Sequence, residues 1–190
     1  MADHFLLPHQ ADWRNPPKQE KLWRGAVDRS LTGAEDRVSV RGNSWIRFSY
    51  SVLPFNQIER SLFEYRFKRA LKAGKVAVPH WGRGSQIPIQ MLGNETSITL
   101  AKKSPYLTAG VWCFIQSSVP SEFDVWDIAK ISSVANQITL HLAGTIENRY
   151  PAGTYVWPLL FGRPIAERFA PMNLARGEYR VHLLFDQRSI

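Results

Sequence analysis

Carboxylates are densest at Glu122, Asp124 and Asp127, and in an extended strand Glu122 and Asp124 would share one face. Two carboxylates so placed suit general acid–base work or a hard divalent cation. A solvent-facing strand edge, with Phe123 and Val125 turned inward, explains the same residues and takes precedence, because charged side chains rarely face a core. The five histidines, at positions 4, 9, 80, 141 and 182, are scattered, and none has a partner at metal-ligand spacing. His141 and His182 read as polar members of the alternating patterns Leu140-His141-Leu142 and Val181-His182-Leu183. His80-Trp81-Gly82 fits a ligand pocket, or equally a Gly-rich turn carrying a packed tryptophan. The single cysteine, Cys113, lies in the apolar run Val111–Ile115 and reads as a buried small hydrophobe; no intramolecular disulfide is open to it. There is no P-loop, dinucleotide fingerprint, Gly-x-Ser-x-Gly elbow or His-Glu-x-x-His. The expectation is therefore no catalytic residue, no metal and no cofactor, and a chain that is not an enzyme.

Other chemistry is spread more thinly. The net charge of +8 lies wholly in residues 1–103, with 17 Lys/Arg against 9 Asp/Glu, while residues 104–190 carry 7 of each. A nucleic-acid surface would use such an excess, but no basic run is longer than Lys102-Lys103, so no concentrated phosphate-binding stripe forms. A solvated face or an acidic protein neighbour fits dispersed charge better, and nucleic acid ranks as an alternative. Seven tryptophans suit either a core or extensive interfaces. A carbohydrate-binding module is a further alternative, if Trp112, Trp126 or Trp157 line a groove. Met1–Pro8 has no basic region ahead of a long apolar stretch, and no window approaches the ~18 apolar residues that span a bilayer, so a soluble product without membrane contact is expected.

The elements that would position these residues are mostly strands. Residues 1–20 read as an extended arm, because Pro8 and Asn15-Pro16-Pro17 prevent a helix. Its anchors Phe5, Leu6, Leu7 and Trp13 are too few to fold alone, so it wraps its own domain or lies on a neighbour, and order only in an assembly is expected. Leu22–Val27 is a candidate strand. Arg37–Arg41 alternates and is expected to form a hairpin with Trp45–Val52, whose Ile46, Phe48, Tyr50 and Val52 share a face. A helix over about 56–73 follows, with Asn56 as N-cap, Glu59 at capping-box spacing and Gly74 as terminator. Phe63, Phe67, Ala70 and Leu71 form one apolar stripe, and Ile58, Leu62 and Tyr65 an adjoining one, which places the helix between a sheet and something else. Glu64 and Lys68 are spaced to pair. Beyond Lys75–Pro79 only strand signals recur: Ile87–Leu92, Ser97–Ala101, Gly110–Gln116, Glu122–Ile131, Gln137–Leu142, Thr154–Phe161 and Glu178–Asp186. This spacing implies a sandwich or small barrel. The expected organisation is an arm over 1–20, a β-sandwich-type domain with one helix over 21–95, and a small β-barrel-like module over 96–190, with the boundary near 92–96.

The run Leu22-Trp23-Arg24-Gly25 to Arg37 is followed by Arg41, Arg47, Tyr50, the helix, Gly74 and Val76-Ala77-Val78-Pro79-His80-Trp81. This order resembles the N-terminal region of tail-tip proteins of long-tailed bacteriophages and related gene-transfer particles. Gly33-Ala34-Glu35-Asp36-Arg37 matches their Gly-x-Glu-x-Arg segment, and Val78-Pro79-His80-Trp81 their strand followed by tryptophan. The resemblance covers residues 20–90. A looser one extends over Ser121–Ile131, Asn136–Leu140 and Tyr150–Pro158; the neutral Asn43-Ser44-Trp45 departs from the more basic segment of the family. The resemblance implies a mainly β, tail-tube-like antiparallel sandwich flanked by one helix. It also implies a homo-oligomeric ring, commonly six-fold, that joins the tail tube to the hub and fibres. The location would be the virion tail, after assembly in the host cytoplasm. Alternation offers Arg37 and Arg41 outward from Val38 and Val40, so Glu35, Arg37, Arg41 and Arg47, together with Trp13, are the candidate subunit-interface residues. An ordinary solvated strand face is the competing reading.

Overall fold

The computed structural model describes residues 5–14, 16–22, 25–29, 35–39, 45–52, 56–117, 122–134, 137–164, 171–173 and 178–186; within 21–45 and 171–186 this is the backbone. The chain is mainly β with one helix. It divides into two compact units: residues 1–5, 11–76 and 161–190 form the first, and residues 6–10 and 77–160 the second. The chain thus leaves the first unit after residue 76 and returns at 161, where sequence reading set a single boundary near 92–96.

In the first unit, β2 (Lys18–Leu22) pairs antiparallel with β5 (Trp45–Val52), and β5 with β14 (Glu178–Asp186). The short β13 (Pro171–Asn173) and the end of β12 (Tyr155–Pro164) also pair with β14, the latter through Arg163 and Pro164. As the alternation predicts, Ile46, Phe48, Tyr50 and Val52 are all buried. Each such side chain contributes about 1.5–3 kcal/mol of burial. The expected hairpin between Arg37–Arg41 and β5 does not form. Instead β4 (Glu35–Ser39) pairs with β3 (Gly25–Arg29) in a two-stranded sheet, since five-residue strands on either side of the Ser30–Gly33 turn material match each other.

The helix α1 (Gln57–Ala73) has the expected limits. Asn56 Oδ1 accepts from the Glu59 N–H at 2.9 Å, answering one of the free donors of the first turn. Gly74, at φ 67°, turns its N–H back to the Ala70 carbonyl at 3.0 Å and ends the helix in a conformation other residues resist. Phe63, Phe67 and Ala70 are fully buried, with the two phenyl rings stacked at 5.8 Å. Glu64 meets Arg60, at 3.2 Å.

In the second unit, β7 (Ser85–Gln86), β12, β9 (Trp112–Gln116), β10 (Phe123–Val134), β11 (Gln137–Leu142) and β8 (Ser97–Leu100) pair in that spatial order, with antiparallel neighbours. Ile98, Leu100, Cys113, Ile115, Ile128, Leu140 and Val156 belong to one core cluster inside these strands. β6 (Val76–Pro79) is buried at every position. The expected strand over Ile87–Leu92 is absent. Pro88 withholds a ladder donor, and only a bridge from Met91 to Tyr150 remains, leaving Ile89 and Leu92 exposed.

β1 (Phe5–Leu6) starts the arm; in the first unit the Phe5 N–H donates to the Lys75 carbonyl at 3.1 Å. In the second, Leu7 is fully buried and its N–H donates to the Ala77 carbonyl at 2.9 Å. Backbone hydrogen bonds thus lay the described part of the arm on its own chain, one of the two placements expected of it.

Candidate functional site

The carboxylate cluster turns out inverted. Asp124 points into the second unit and is buried, whereas Glu122 is exposed and Phe123 and Val125 are half-buried. The alternation of β10 is set by Trp126 and Ile128, which pack on the core cluster, and Asp124 shares their side of the strand. Its burial is compensated by four donors. Tyr150 Oη donates to Asp124 Oδ2 at 2.7 Å, and the Asn148 N–H and Nδ2 each donate at 3.1 Å. The Glu147 N–H reaches Oδ1 at 3.3 Å. Burial, then the hydrogen bond and charge of Asp124, push the Tyr150 hydroxyl pKa well up, so it stays protonated as a donor. These four hydrogen bonds pin the 147–150 segment to β10 through one carboxylate.

His80 is buried beside Tyr106, with rings 5.7 Å apart, and burial drives its pKa down, opposed by backbone hydrogen bonding and assisted by the Arg83 charge. His141 Nε2 lies 2.9 Å from Ser132 Oγ across β10 and β11. A serine–histidine contact is the start of a nucleophile, yet the register sets Lys130 and Ser97 opposite His141, neither of which can orient an imidazole as a carboxylate does. Cys113 is buried and its thiol is pushed up to about 12, chiefly by burial, which leaves it unreactive at neutral pH. Among the described residues no group of three or more His, Cys, Asp or Glu is placed to hold a metal ion. His4 lies outside the described residues, as does the side chain of His182.

Of the interface residues, Arg47 and Trp13 can be placed fully. Arg47 sits opposite Glu20 in the β2–β5 register, and its Nη1 lies 3.3 Å from Glu20 Oε2. Part of its charge is thus matched within the chain, while Nε is buried without a hydrogen-bond partner. Trp13 is half exposed on a turn where Arg14 N and Nε both donate to Asp12 Oδ1 at 3.1 Å. Glu35 and Arg37 belong to β4, with Arg37 opposite Val27, and their side chains lie outside the described residues, as does the whole of Arg41. The structure thus brings Arg47 to Glu20.

Two surfaces carry exposed apolar groups, the first being the second helix stripe expected from spacing. On α1, Ile58, Leu62 and Tyr65 are 81%, 42% and 56% exposed, at spacings of four and three that line one helix face. In the second unit, Trp81 meets Trp157 edge-on at 4.9 Å and Phe114 at 6.0 Å, while Phe114 lies 5.6 Å from Phe123. Gly84 makes this possible, because a Cβ there would stand 2.6 Å from the Trp157 ring. Trp157 is consequently buried, Trp112 half-buried and Trp126 packed on the core, so these three do not line a common groove. Tyr155, stacked on Trp157 at 5.7 Å and 18°, is the ring that reaches solvent; strand alternation from Trp157 was the signal for it. No family model matches this chain, and no curated protein does either.

Proposed function

We propose that the protein is a structural assembly component rather than an enzyme, a homo-oligomer built into the tail tip of a bacteriophage or related particle. The observation that carries the assembly reading is the Ile58–Leu62–Tyr65 stripe on α1. Three large apolar side chains at helical spacing, opposite the buried Phe63–Phe67–Ala70 stripe, give the helix two apolar faces of which its own chain covers one. The tail-tip reading rests on the sequence resemblance over residues 20–90, within which this helix falls. It brings with it a ring, a tail tube and hub as partners, and a place in the virion. Glu35, Arg37, Arg41 and Arg47 remain the proposed polar part of the subunit contact.

We read the first unit as tail-tube-like and the second as a small barrel. Support for the barrel comes from the far end of its strand series: the Ala101 N–H, just beyond β8, donates to the Gln86 carbonyl of β7 at 2.8 Å, and Ser85 Oγ donates to the Lys102 carbonyl at 2.6 Å. Two such hydrogen bonds support a last strand that returns toward the first, the arrangement by which a barrel avoids open edges.

Sedimentation velocity over a range of concentrations tests the assembly reading. The wild-type chain is expected to self-associate, and Leu62→Lys with Ile58→Lys to remain monomeric with an unchanged melting temperature. A wild-type chain that stays monomeric, and whose stripe variant still enters particles, would falsify it.

A further inference from the structure

We propose that the second unit carries a binding site for a neutral oligosaccharide, centred on Tyr155. An open depression of about 380 Å³ is lined by Gln10, Gln116, Ser117, Thr154, Tyr155 and Trp157 with the turn 151–153. Its floor is a rigid aromatic platform. Tyr155 is 43% exposed, and behind it lies Trp157, itself wedged against Trp81 and Phe114. A ring held in this way offers a flat apolar face without losing further rotamer freedom on binding. Around it stand amide and hydroxyl groups. Gln10 is exposed, Gln116 Nε2 donates to the Pro8 carbonyl at 3.4 Å, and Thr154 Oγ1 donates to the Pro151 carbonyl at 2.8 Å. The turn itself is fixed by the Gly153 N–H, which donates to the Ile87 carbonyl at 2.8 Å.

The charge of the lining selects the ligand class. The lining residues are uncharged at neutral pH, and a carboxylate is fixed to the rim: Ser117 Oγ donates to Glu122 Oε2 at 3.0 Å. A base would also stack on Tyr155, but a nucleic acid brings phosphates that need cations, and here they would meet Glu122 instead. An uncharged ligand with one apolar face and a hydroxyl-rich edge matches stacking ring, amides and hydroxyls together, and a pyranose ring has both. The depression is shallow and open, which suits one or two rings of a chain lying across the surface rather than an enclosed small molecule. This inference is independent of the tail-tip reading, since it uses only residues of the second unit and holds for a monomer.

Titration of the full-length chain with chitotetraose and with maltotetraose, followed by calorimetry and by tryptophan fluorescence, tests the site. Saturable binding of at least one sugar is expected, accompanied by a fluorescence change because Trp157 lies directly beneath the platform. Tyr155→Ala is expected to weaken that binding about tenfold or more, and Tyr155→Phe to preserve it within about twofold. Gln10→Ala, at an exposed position, is expected to weaken it less while leaving the melting temperature unchanged. The site is overturned if neither sugar saturates at about 10 mM, or if Tyr155→Ala binds as wild type. Tighter binding of oligothymidylate than of either sugar, lost in Tyr155→Ala, overturns the assignment of ligand class.

Discussion

Asp124 and the α1 stripe break the same rule in opposite directions. Asp124 is a charged group inside the second unit, and every hydrogen bond it makes is with its own chain: the 147–150 segment supplies four donors. Ile58, Leu62 and Tyr65 are large apolar groups outside, on a helix of the first unit. A buried carboxylate is tolerated only when its partners are built in, so an occupied one indicates internal architecture. An uncovered apolar stripe gains nothing from water and indicates something that is to be added. Of the two, the conspicuous acidic residue is the less informative about function.

That contrast can be broken experimentally. Asp124→Ala leaves four donors without their acceptor, and a loss of about 3–5 kcal/mol is expected in denaturant unfolding, with Tyr150→Phe costing about 1–2 kcal/mol. Should Asp124→Ala retain stability but lose a measurable activity, Asp124 is a functional group after all. On α1, buried Phe67→Ala should cost about 3–5 kcal/mol, and exposed Leu62→Ala should stay within about 0.5 kcal/mol while changing self-association.

A smaller effect concerns pH. The folded-state pKa of His80 is lowered below 6.5, mainly by burial, so below pH 6.5 the unfolded chain binds the extra proton first. Stability is therefore complete above pH 6.5 and declines on acidification, with a slope of up to about 1.4 kcal/mol per pH unit for this one group. Melting temperatures of wild type and His80→Gln across about pH 5–8 would check this; equal slopes would assign the acid sensitivity elsewhere. The smallest expected change is at the helix cap, where Asn56→Ala should cost about 1 kcal/mol in thermal unfolding with no effect on association.

Local signals were legible where one periodicity was uncontested. The bounds of α1, β11 and β14 follow from a cap, a terminating glycine and strict alternation, and the buried face of β5 follows from spacing alone. The reading failed at Asp124 because hydrophobicity assigns faces by residue type, and in β10 both sides of the strand carry large apolar groups. Trp126 and Ile128 competed with Phe123 and Val125, and the choice depended on which side met the core. Tyr155 was overlooked for a related reason: a tryptophan two residues away seemed the better candidate, and only its neighbours Trp81 and Phe114 bury that tryptophan.

The amino-acid sequence by itself determined the class of structure, mostly strands with one capped helix, and the presence of two apolar stripes on that helix. Those properties arise from groups a few residues apart, whose geometry the backbone fixes. Tertiary structure decided which strands pair, as in β3 with β4 rather than β4 with β5, and where the chain passes from one unit to the other. It also decided that Asp124 is satisfied and that Tyr155 is the ring left in solvent. These outcomes depend on residues far apart in sequence, such as Asp124 with Tyr150 and Trp81 with Trp157. Burial and pairing are properties of what a side chain meets, and only the folded chain settles that.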